Sequence, residues 1–351
     1  MKKELLKRTG IGLFAVAALL GAAPVNAESI TVINFANYMP PDLMERFTKE
    51  TGITVDYVTT STNEETMGKL VAANGAGFDV VFVSSPFAQA LRSLDLLTDL
   101  NQDNLPNKSN LYEEATKLSY DPGNVFSMPY AWGTTGLCYR EDLVKTAPTS
   151  WNDLLKPSDD LKGKITMLKT DRWLLAPAQL VNGYSVNDVA PEHLEKVKQD
   201  LIEAKKGLLA YDDVTFYSKL VAGEAAMVHS WDGWCNYALA ENDKARFVVP
   251  KEGSDFYIDT MVVPKASENK DAAEKFINFV LQPENQLWVV TNLFFKVPNK
   301  ASMDMVPKDL LEKYPNIAMT AADLAKFEIF QDLGPDLPRV SKVITEITSS
   351  N

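Results

Sequence analysis

The sequence predicts an α/β protein built as two lobes. Short apolar strands alternate with helices from residue 29 to about residue 94, and a second series of strands and helices begins near residue 151. Such alternation is typical of a parallel sheet covered by helices on both faces. The chain of 351 residues is also longer than the chains that usually fold around a single hydrophobic core. Both observations favour two α/β units.

The first unit begins with three strands separated by helices. The strands are predicted at 29–35, 53–58 and 79–83, and the helices at 43–50 and 63–73. Gly52 follows the first helix, where a glycine commonly terminates a helix. Sheets of this kind bind ligands beyond the carboxyl ends of their strands, which are 35–38 and 84–87 in this chain.

The second unit has the same character. Strands are predicted at 163–168, 209–211 and 225–230, and helices at 151–155, 171–181, 191–204, 215–222 and 233–241. A strand running back over 256–263 and a helix over 271–281 follow. Two lobes joined by more than one crossing would form a cleft, which is where small molecules commonly bind.

The strand at 256–263 carries a pair of residues suited to a cation. Tyr257 and Asp259 are two positions apart, so their side chains project from the same face of the strand. A carboxylate supplies charge-assisted hydrogen bonds and a ring supplies a cation–π surface. The alternative is a strand with an acid at its solvated end.

The N-terminus has the features of a secretory signal peptide. Basic residues at 2, 3, 7 and 8 precede an apolar run over 11–23 and small residues before the cut. That run is shorter than the about 20 residues of a membrane span. We predict cleavage after about Ala27 and export of 28–351 to a bacterial periplasm. The residue directly after the cut is Glu28 and not a cysteine, so a lipid anchor at the new N-terminus is not expected.

Composition excludes several classes of function. A formal net charge of −12 argues against nucleic acid and anionic membranes as partners, which need clustered Lys and Arg. Two histidines, His193 and His229, and the absence of a Gly-rich phosphate loop leave no pattern for a metal site, a cofactor or a catalytic triad. We therefore expect no metal, no cofactor and no enzymatic activity.

Cys138 and Cys235 could form a disulfide or remain two buried thiols.

Short motifs along nearly the whole exported chain carry a family resemblance. They are NFANYMPP at 34–41, FTKETGI at 47–53, NEETM at 63–67, FDVV at 78–81, MPYAWGT at 128–134, WDG at 231–233, PKEG at 250–253, INF at 277–279 and VPN at 297–299. In this order they resemble the spermidine/putrescine-binding proteins of polyamine ABC importers. Those proteins are two-lobed periplasmic binding proteins of type II, with a ligand cleft between lobes joined by strand-like hinges.

The resemblance implies a division of the chain between the lobes. Lobe one would comprise 28–135 plus 260–304, and lobe two 136–259 plus 305–351. The crossings would lie near 134–136, near 259–260 and beyond 299. Closure of the lobes about these hinges would clamp the ligand.

The resemblance also implies a site in which aromatic rings sandwich an alkyl chain and acids bind the amines. Carried over residue by residue, its positions are Phe35, Asn37, Tyr38, Ser84, Asp171, Trp173, Trp231, Asp232, Tyr257, Asp259, Phe295 and Gln331. Phe35 and Phe295 could instead be core residues, and Asp232 could cap the helix that begins at Gly233. Trp231 rather than Trp234 is expected to face the cleft.

The segment Lys169-Thr170-Asp171-Arg172-Trp173 departs from the family pattern, in which a run of acids is followed by Ala-Arg-Glu. Aligned on Arg172, Trp173 stands in place of the glutamate. Asn37 stands where the family carries an acid. Because an unpaired buried ammonium costs several kcal/mol, the number of acids limits the number of amines. Asp259, Asp232 and Asp171 would suffice for a diamine or a triamine.

The function implied by the resemblance is capture of a polyamine in the periplasm and its delivery to an inner-membrane ABC permease by a monomeric protein. Two alternatives stay open. The protein could be a polyamine sensor that passes its ligand state to the periplasmic domain of a membrane receptor, or it could bind another small cationic solute.

Overall fold

The computed structural model describes residues 28–350, apart from the side chain of Asp171. The expected leader and its cleavage point lie outside these residues. The strands are β1 Ser29–Phe35, β2 Thr54–Thr60, β3 Val80–Ser84, β4 Ser127–Gly133, β5 Thr135–Arg140, β6 Ile165–Met167, β7 Ala210–Tyr211, β8 Met227–Trp231, β9 Ala245–Val248 and β10 Tyr257–Val262.

The α-helices cover both sheets. They are α1 Leu43–Thr51, α2 Asn63–Ala72, α3 Ser85–Ser93, α4 Asn152–Leu155, α5 Ala176–Val181, α6 Pro191–Lys205, α7 Phe216–Ala222, α8 Asp232–Glu241, α9 Lys270–Val280, α10 Pro283–Trp288, α11 Lys300–Met303, α12 Lys308–Lys313, α13 Ala321–Leu324 and α14 Leu337–Ser349. Gly52 ends α1 in the left-handed conformation, at φ 76°, as the sequence predicts.

The strands form two mixed sheets of five strands each. Their orders are β2-β1-β3-β10-β4 and β7-β6-β8-β5-β9. In the first sheet β1 pairs parallel with β2 and β3, whereas β10 runs antiparallel to β3 and β4. The predicted two-lobed α/β architecture is confirmed, with β10 as the strand that runs back.

Two crossings between the sheets lie side by side. The chain leaves the first sheet at Gly133 and enters the second at Thr135. The Thr134 hydroxyl donates to the carbonyl of Asp255 at 2.8 Å, and the Ser254 hydroxyl donates to the carbonyl of Thr135 at 2.8 Å. These buried bonds join the outgoing segment to the returning one just before β10.

Packing supports lobe boundaries that differ from those expected. All of β10 lies in the first sheet, so we place the second crossing before Tyr257 rather than at 259–260. Val306 and Leu324 pack in the core of the first lobe, whereas Val340 and Ile347 pack in a core of the second. We therefore propose that the third crossing follows residue 324, and that 305–324 belong to lobe one rather than lobe two.

One predicted helix is divided in two. The segment expected to be helical over 171–181 is a 3-10 turn, Asp171–Leu174, followed by α5. Pro177 has no N–H to donate, so it fits the first turn of a new helix and not the interior of a continuous one. The turn places Trp173 at the edge of the cleft.

A disulfide links Cys138 to Cys235, with their Cα atoms 5.6 Å apart. It joins β5 to the middle of α8 and decides between the two possibilities left open by the sequence.

Within residues 28–350, no helix combines the length and the apolar character needed to cross a membrane.

Candidate functional site

A cavity of about 410 Å³ has walls from both lobes. Of the residues expected at the site, those that line it are Phe35, Asn37, Tyr38, Ser84, Trp173, Trp231, Tyr257, Asp259 and Phe295. Tyr257 and Asp259, which the sequence pairs on one strand face, therefore both line this cavity from β10, and Tyr38 and Ser84 line it at the carboxyl ends of β1 and β3.

Asp259 is the buried carboxylate of this cavity, with 8% of the residue exposed. The register of the antiparallel pair places it opposite Ser84, whose hydroxyl donates to Oδ1 at 2.6 Å. The Tyr38 hydroxyl donates to Oδ2 at 2.6 Å. Burial raises the pKa of Asp259 above its ordinary value, opposed by these two hydrogen bonds. Within 28–350 the partners of this carboxylate are the two hydroxyl groups, and none is positively charged.

Local structure holds both hydroxyl donors in place. Asn63, at the start of α2, accepts from the backbone N–H of Ser84 at 2.8 Å and donates to its hydroxyl at 3.1 Å. Asn37 adopts the left-handed conformation, at φ 58°, which asparagine tolerates better than most residues. This turn lies directly before Tyr38, and the carbonyl of Tyr38 accepts a hydrogen bond from the Tyr130 hydroxyl.

Aromatic rings of lobe one form the wall around Asp259. The Tyr38 ring meets Phe35 at 5.7 Å and Phe295 at 5.5 Å between centroids, both edge to face. Phe35 and Phe295 contact the core of this lobe as well as the cavity. The two roles considered from the sequence, core and cavity wall, are both realised.

Three tryptophans of lobe two form the opposite wall. Trp173 and Trp231 meet edge to face at 5.7 Å, and the indole N–H of Trp173 donates to Oδ2 of Asp255 at 2.9 Å. Trp234 also lines the cavity, 6.3 Å from the Phe295 ring. The expectation that only Trp231 faces the cleft is therefore corrected, because both positions at the start of α8 reach it.

Asp232 lies behind the wall and is not among the residues that line the cavity. Only 2% of it is exposed, and its Oδ1 accepts from the Tyr257 hydroxyl at 2.6 Å and the backbone N–H of Gly233 at 2.8 Å. Burial raises the pKa of Asp232 to about 7. Its carboxylate fixes the ring of Tyr257. The capping role considered from the sequence is not formed, because α8 begins at Asp232 itself and has no side-chain cap hydrogen bond.

Two expected positions remain, Gln331 and Asp171. Gln331 lines a separate groove of about 580 Å³, together with Phe87 and Leu337. The side chain of Asp171 lies outside the described part of the structure. Asp171 therefore stays a prediction, and Gln331 does not join the cavity that contains Asp259.

Several residues of the cavity were not among the site residues expected from the resemblance, although Ala36 lies in the strand end predicted at 35–38. They are Ala36, Thr60, Ser61, Asn63, Asp213, Val214 and Trp234. Thr60 and Ser61 lie at the carboxyl end of β2, so the rule for strand ends could have found them. Asp213 follows β7 by two residues, and a strand of two residues gives a weak sequence signal.

The arrangement is suited to a small organic cation. Removing a carboxylate from water costs free energy unless an opposite charge or hydrogen bonds compensate it. Among the described residues, Asp259 accepts hydrogen bonds from hydroxyl groups only. Among the described residues that line the cavity there is no Lys or Arg. Within 28–350 no group of three His, Cys, Asp or Glu side chains could hold a metal ion.

Comparison with known proteins places the chain in a family. Residues 42–320 match the family described as bacterial extracellular solute-binding protein. The chain is 30% identical over 310 residues to the spermidine/putrescine-binding periplasmic protein of Escherichia coli K12, covering 87% of this chain and 88% of that protein. It is 29% identical over 352 residues to the putrescine/cadaverine-binding protein of Pseudomonas aeruginosa, covering 95% and 98%.

A solved structure of a substrate-binding protein shares the fold. The spermidine/putrescine ABC transporter substrate-binding protein of Streptococcus pneumoniae superposes with a TM-score of 0.80 at 28% identity, covering 91% of this chain and 98% of that one. Matched over most of its length, the chain belongs to the bacterial extracellular solute-binding protein family.

Proposed function

We propose that this protein captures a polyamine such as putrescine or spermidine in the periplasm and delivers it to an ABC permease of the inner membrane. The observation that carries the proposal is Asp259, a buried carboxylate whose partners among the described residues are the hydroxyl groups of Tyr38 and Ser84 and no positively charged group. An ammonium group would supply the missing charge in an environment that strengthens charge-assisted hydrogen bonds.

The aromatic walls support the rest of the ligand. Phe35, Tyr38 and Phe295 on one side and Trp173 and Trp231 on the other offer ring faces and edges to an alkyl chain. Rings also attract nearby ammonium groups. The names of the relatives support a polyamine over other cations, and the transporter context of the S. pneumoniae protein supports transport over sensing.

The expected export and assembly belong to the same proposal. The leader would be cleaved after about Ala27, and the exported chain would act as a monomer whose closed form is read by the permease. We further propose that Asp232 positions Tyr257 rather than contacting the ligand, because its carboxylate is engaged behind the ring.

A thermal-shift screen tests the ligand class. A ligand that binds the folded state raises the melting temperature, so putrescine, cadaverine, spermidine or norspermidine should raise it at neutral pH. The neutral control 1,4-butanediol has the same carbon chain as putrescine and should leave it unchanged. Absence of a shift with all four amines, or an equal shift with the diol, would overturn the proposal.

A further inference from the structure

The cavity holds a second carboxylate, Asp213, from the opposite lobe. Asp213 and Asp259 are the two acids among the described residues that line it. Asp259 lies on β10 in the first sheet, whereas Asp213 follows β7 at the edge of the second sheet. The walls of this cavity therefore offer a ligand one carboxylate from each lobe.

Asp213 is held in a fixed orientation. Its Oδ1 accepts the backbone N–H groups of Lys169 at 2.8 Å and Thr170 at 3.2 Å. These two bonds join the loop after β7 to the segment that leads into the 3-10 turn at Trp173. The half-buried side chain stays on the cavity wall, so little conformational entropy remains to be lost when a ligand binds.

Two other buried acids of this region are engaged by the protein itself. Asp255 accepts from the indole N–H of Trp173 and from the Thr135 hydroxyl. Asp232 accepts from Tyr257 and from the N–H of Gly233. Neither of these acids lines the cavity, whereas Asp213 does.

We propose that Asp213 binds the second ammonium group of a diamine whose first ammonium group lies on Asp259. This inference rests on the proposed function and deepens it. Trp173 contributes an aromatic face, and the charge for the far end of the ligand comes from Asp213. Because each ammonium group is held by a different lobe, a diamine bridges the cleft, and a monoamine of the same chain length uses only one of the two acids.

Calorimetric titration of Asp213→Asn with putrescine and n-butylamine tests this assignment. Asparagine keeps an oxygen that can accept from Lys169 and Thr170, so the loop should fold as before. A charge-assisted hydrogen bond contributes more than a neutral one. We expect the variant to lose at least about tenfold in affinity for putrescine and less than about threefold for n-butylamine. The advantage of the diamine over the monoamine should therefore fall by a comparable factor.

Two further variants distinguish a specific role of Asp213 from a general loss of negative charge. Glu224→Gln removes the same charge from an exposed position of lobe two and should leave both affinities unchanged. Asp171→Asn tests the acid predicted from the sequence. Where Asp213→Asn does not give a cooperative melt, Asp213→Ser replaces it, since a hydroxyl can also accept from the loop.

The outcomes are distinct. An unchanged preference for putrescine in the Asp213 variants, or loss of that preference in Asp171→Asn instead, would overturn the role of Asp213 and leave the polyamine proposal standing. A wild-type protein that binds neither putrescine nor n-butylamine, and none of the longer amines, would overturn both.

Discussion

At the scale of single residues, two buried carboxylates have different tasks because their partners differ. Asp259 meets hydroxyl groups at the cavity surface, whereas Asp232 meets Tyr257 and the N–H of Gly233 behind the wall. Both have a raised pKa because burial disfavours the charged form. At Asp259 a bound cation would offset the free-energy cost of burying the charge. Asp232 instead holds the ring of Tyr257 in position.

The raised pKa of Asp232 makes stability depend on pH. The carboxyl of an unfolded chain ionises near 3.8, whereas Asp232 in the folded protein ionises near pH 7. The folded state therefore holds a proton that the unfolded state has lost, and the free energy of unfolding falls as pH rises from about 4 to 7. The decrease due to this residue is at most about 4 kcal/mol, from about 1.4 kcal/mol per pKa unit.

Asp232→Asn should remove that contribution, because the amide does not ionise and keeps an oxygen for the same donors. Urea unfolding at pH 5, 6, 7 and 8 should show the free energy of unfolding of the variant rising relative to wild type as pH increases. Asp243→Asn, at an exposed position, is the control and should follow the wild-type curve. Parallel curves for wild type and Asp232→Asn would contradict the assignment.

At the scale of elements, the start of α8 brings the lobes together at the site. Trp231 ends β8 and Trp234 lies in the first turn of α8, and both rings reach the cavity. Gly233 lies between them against Phe295 of lobe one. A Cβ built at Gly233 would lie 2.7 Å from three carbons of the Phe295 ring, closer than carbon atoms pack.

Gly233→Ala should therefore push the Phe295 ring from its position and weaken putrescine binding. Overpacking of this kind costs about 1–3 kcal/mol of folding stability. We expect the displaced Phe295 ring to fit the ligand less well and to lower the calorimetric affinity, roughly tenfold if a similar free energy is lost from binding. Gly68→Ala is the matched control, because a Cβ there meets nothing within 4 Å. An unaltered dissociation constant in Gly233→Ala would show that the Phe295 ring is not a rigid wall of the site.

Sequence patterns predicted some elements of the site better than others. The carboxyl ends of β1 and β3 were found because parallel strands place their ends at one edge, and Tyr38 and Ser84 lie there. Asp232 was considered as a ligand contact or as a helix cap, because the sequence shows neither the Tyr257 hydroxyl that meets its carboxylate nor the start of α8 at Asp232 itself. Asp213 was missed because its side chain enters the cavity from a loop after a very short strand.

At the scale of the whole molecule, the alternation of elements and the motifs predicted the two-lobed α/β fold, whereas the packing leads us to propose other lobe boundaries than those expected. The helices α11, α12 and α13 have apolar residues that could cover either lobe, and only the structure shows Val306 and Leu324 in the core of the first. Likewise, the sequence of β10 does not reveal that the whole strand pairs within one sheet.

The strand pairings place one acid of the cleft in each lobe. Asp259 lies on β10 in the first sheet, and Asp213 follows β7 of the second sheet. The two crossing segments beside Thr134 are joined by buried hydrogen bonds. Movement of one lobe against the other would change the distance between the two acids. A diamine that binds both acids, as we propose, would therefore favour one separation of the lobes.

The central claim is that the buried carboxylate of Asp259 neutralises an ammonium group of the ligand. Calorimetric titration of Asp259→Asn with putrescine and spermidine at neutral pH tests it most directly, with Asp309→Asn as an exposed charge control. We predict that Asp259→Asn lowers the affinity at least about tenfold, equivalent to about 1.4 kcal/mol, and that the control binds as wild type does. Wild-type affinity in Asp259→Asn would contradict the account.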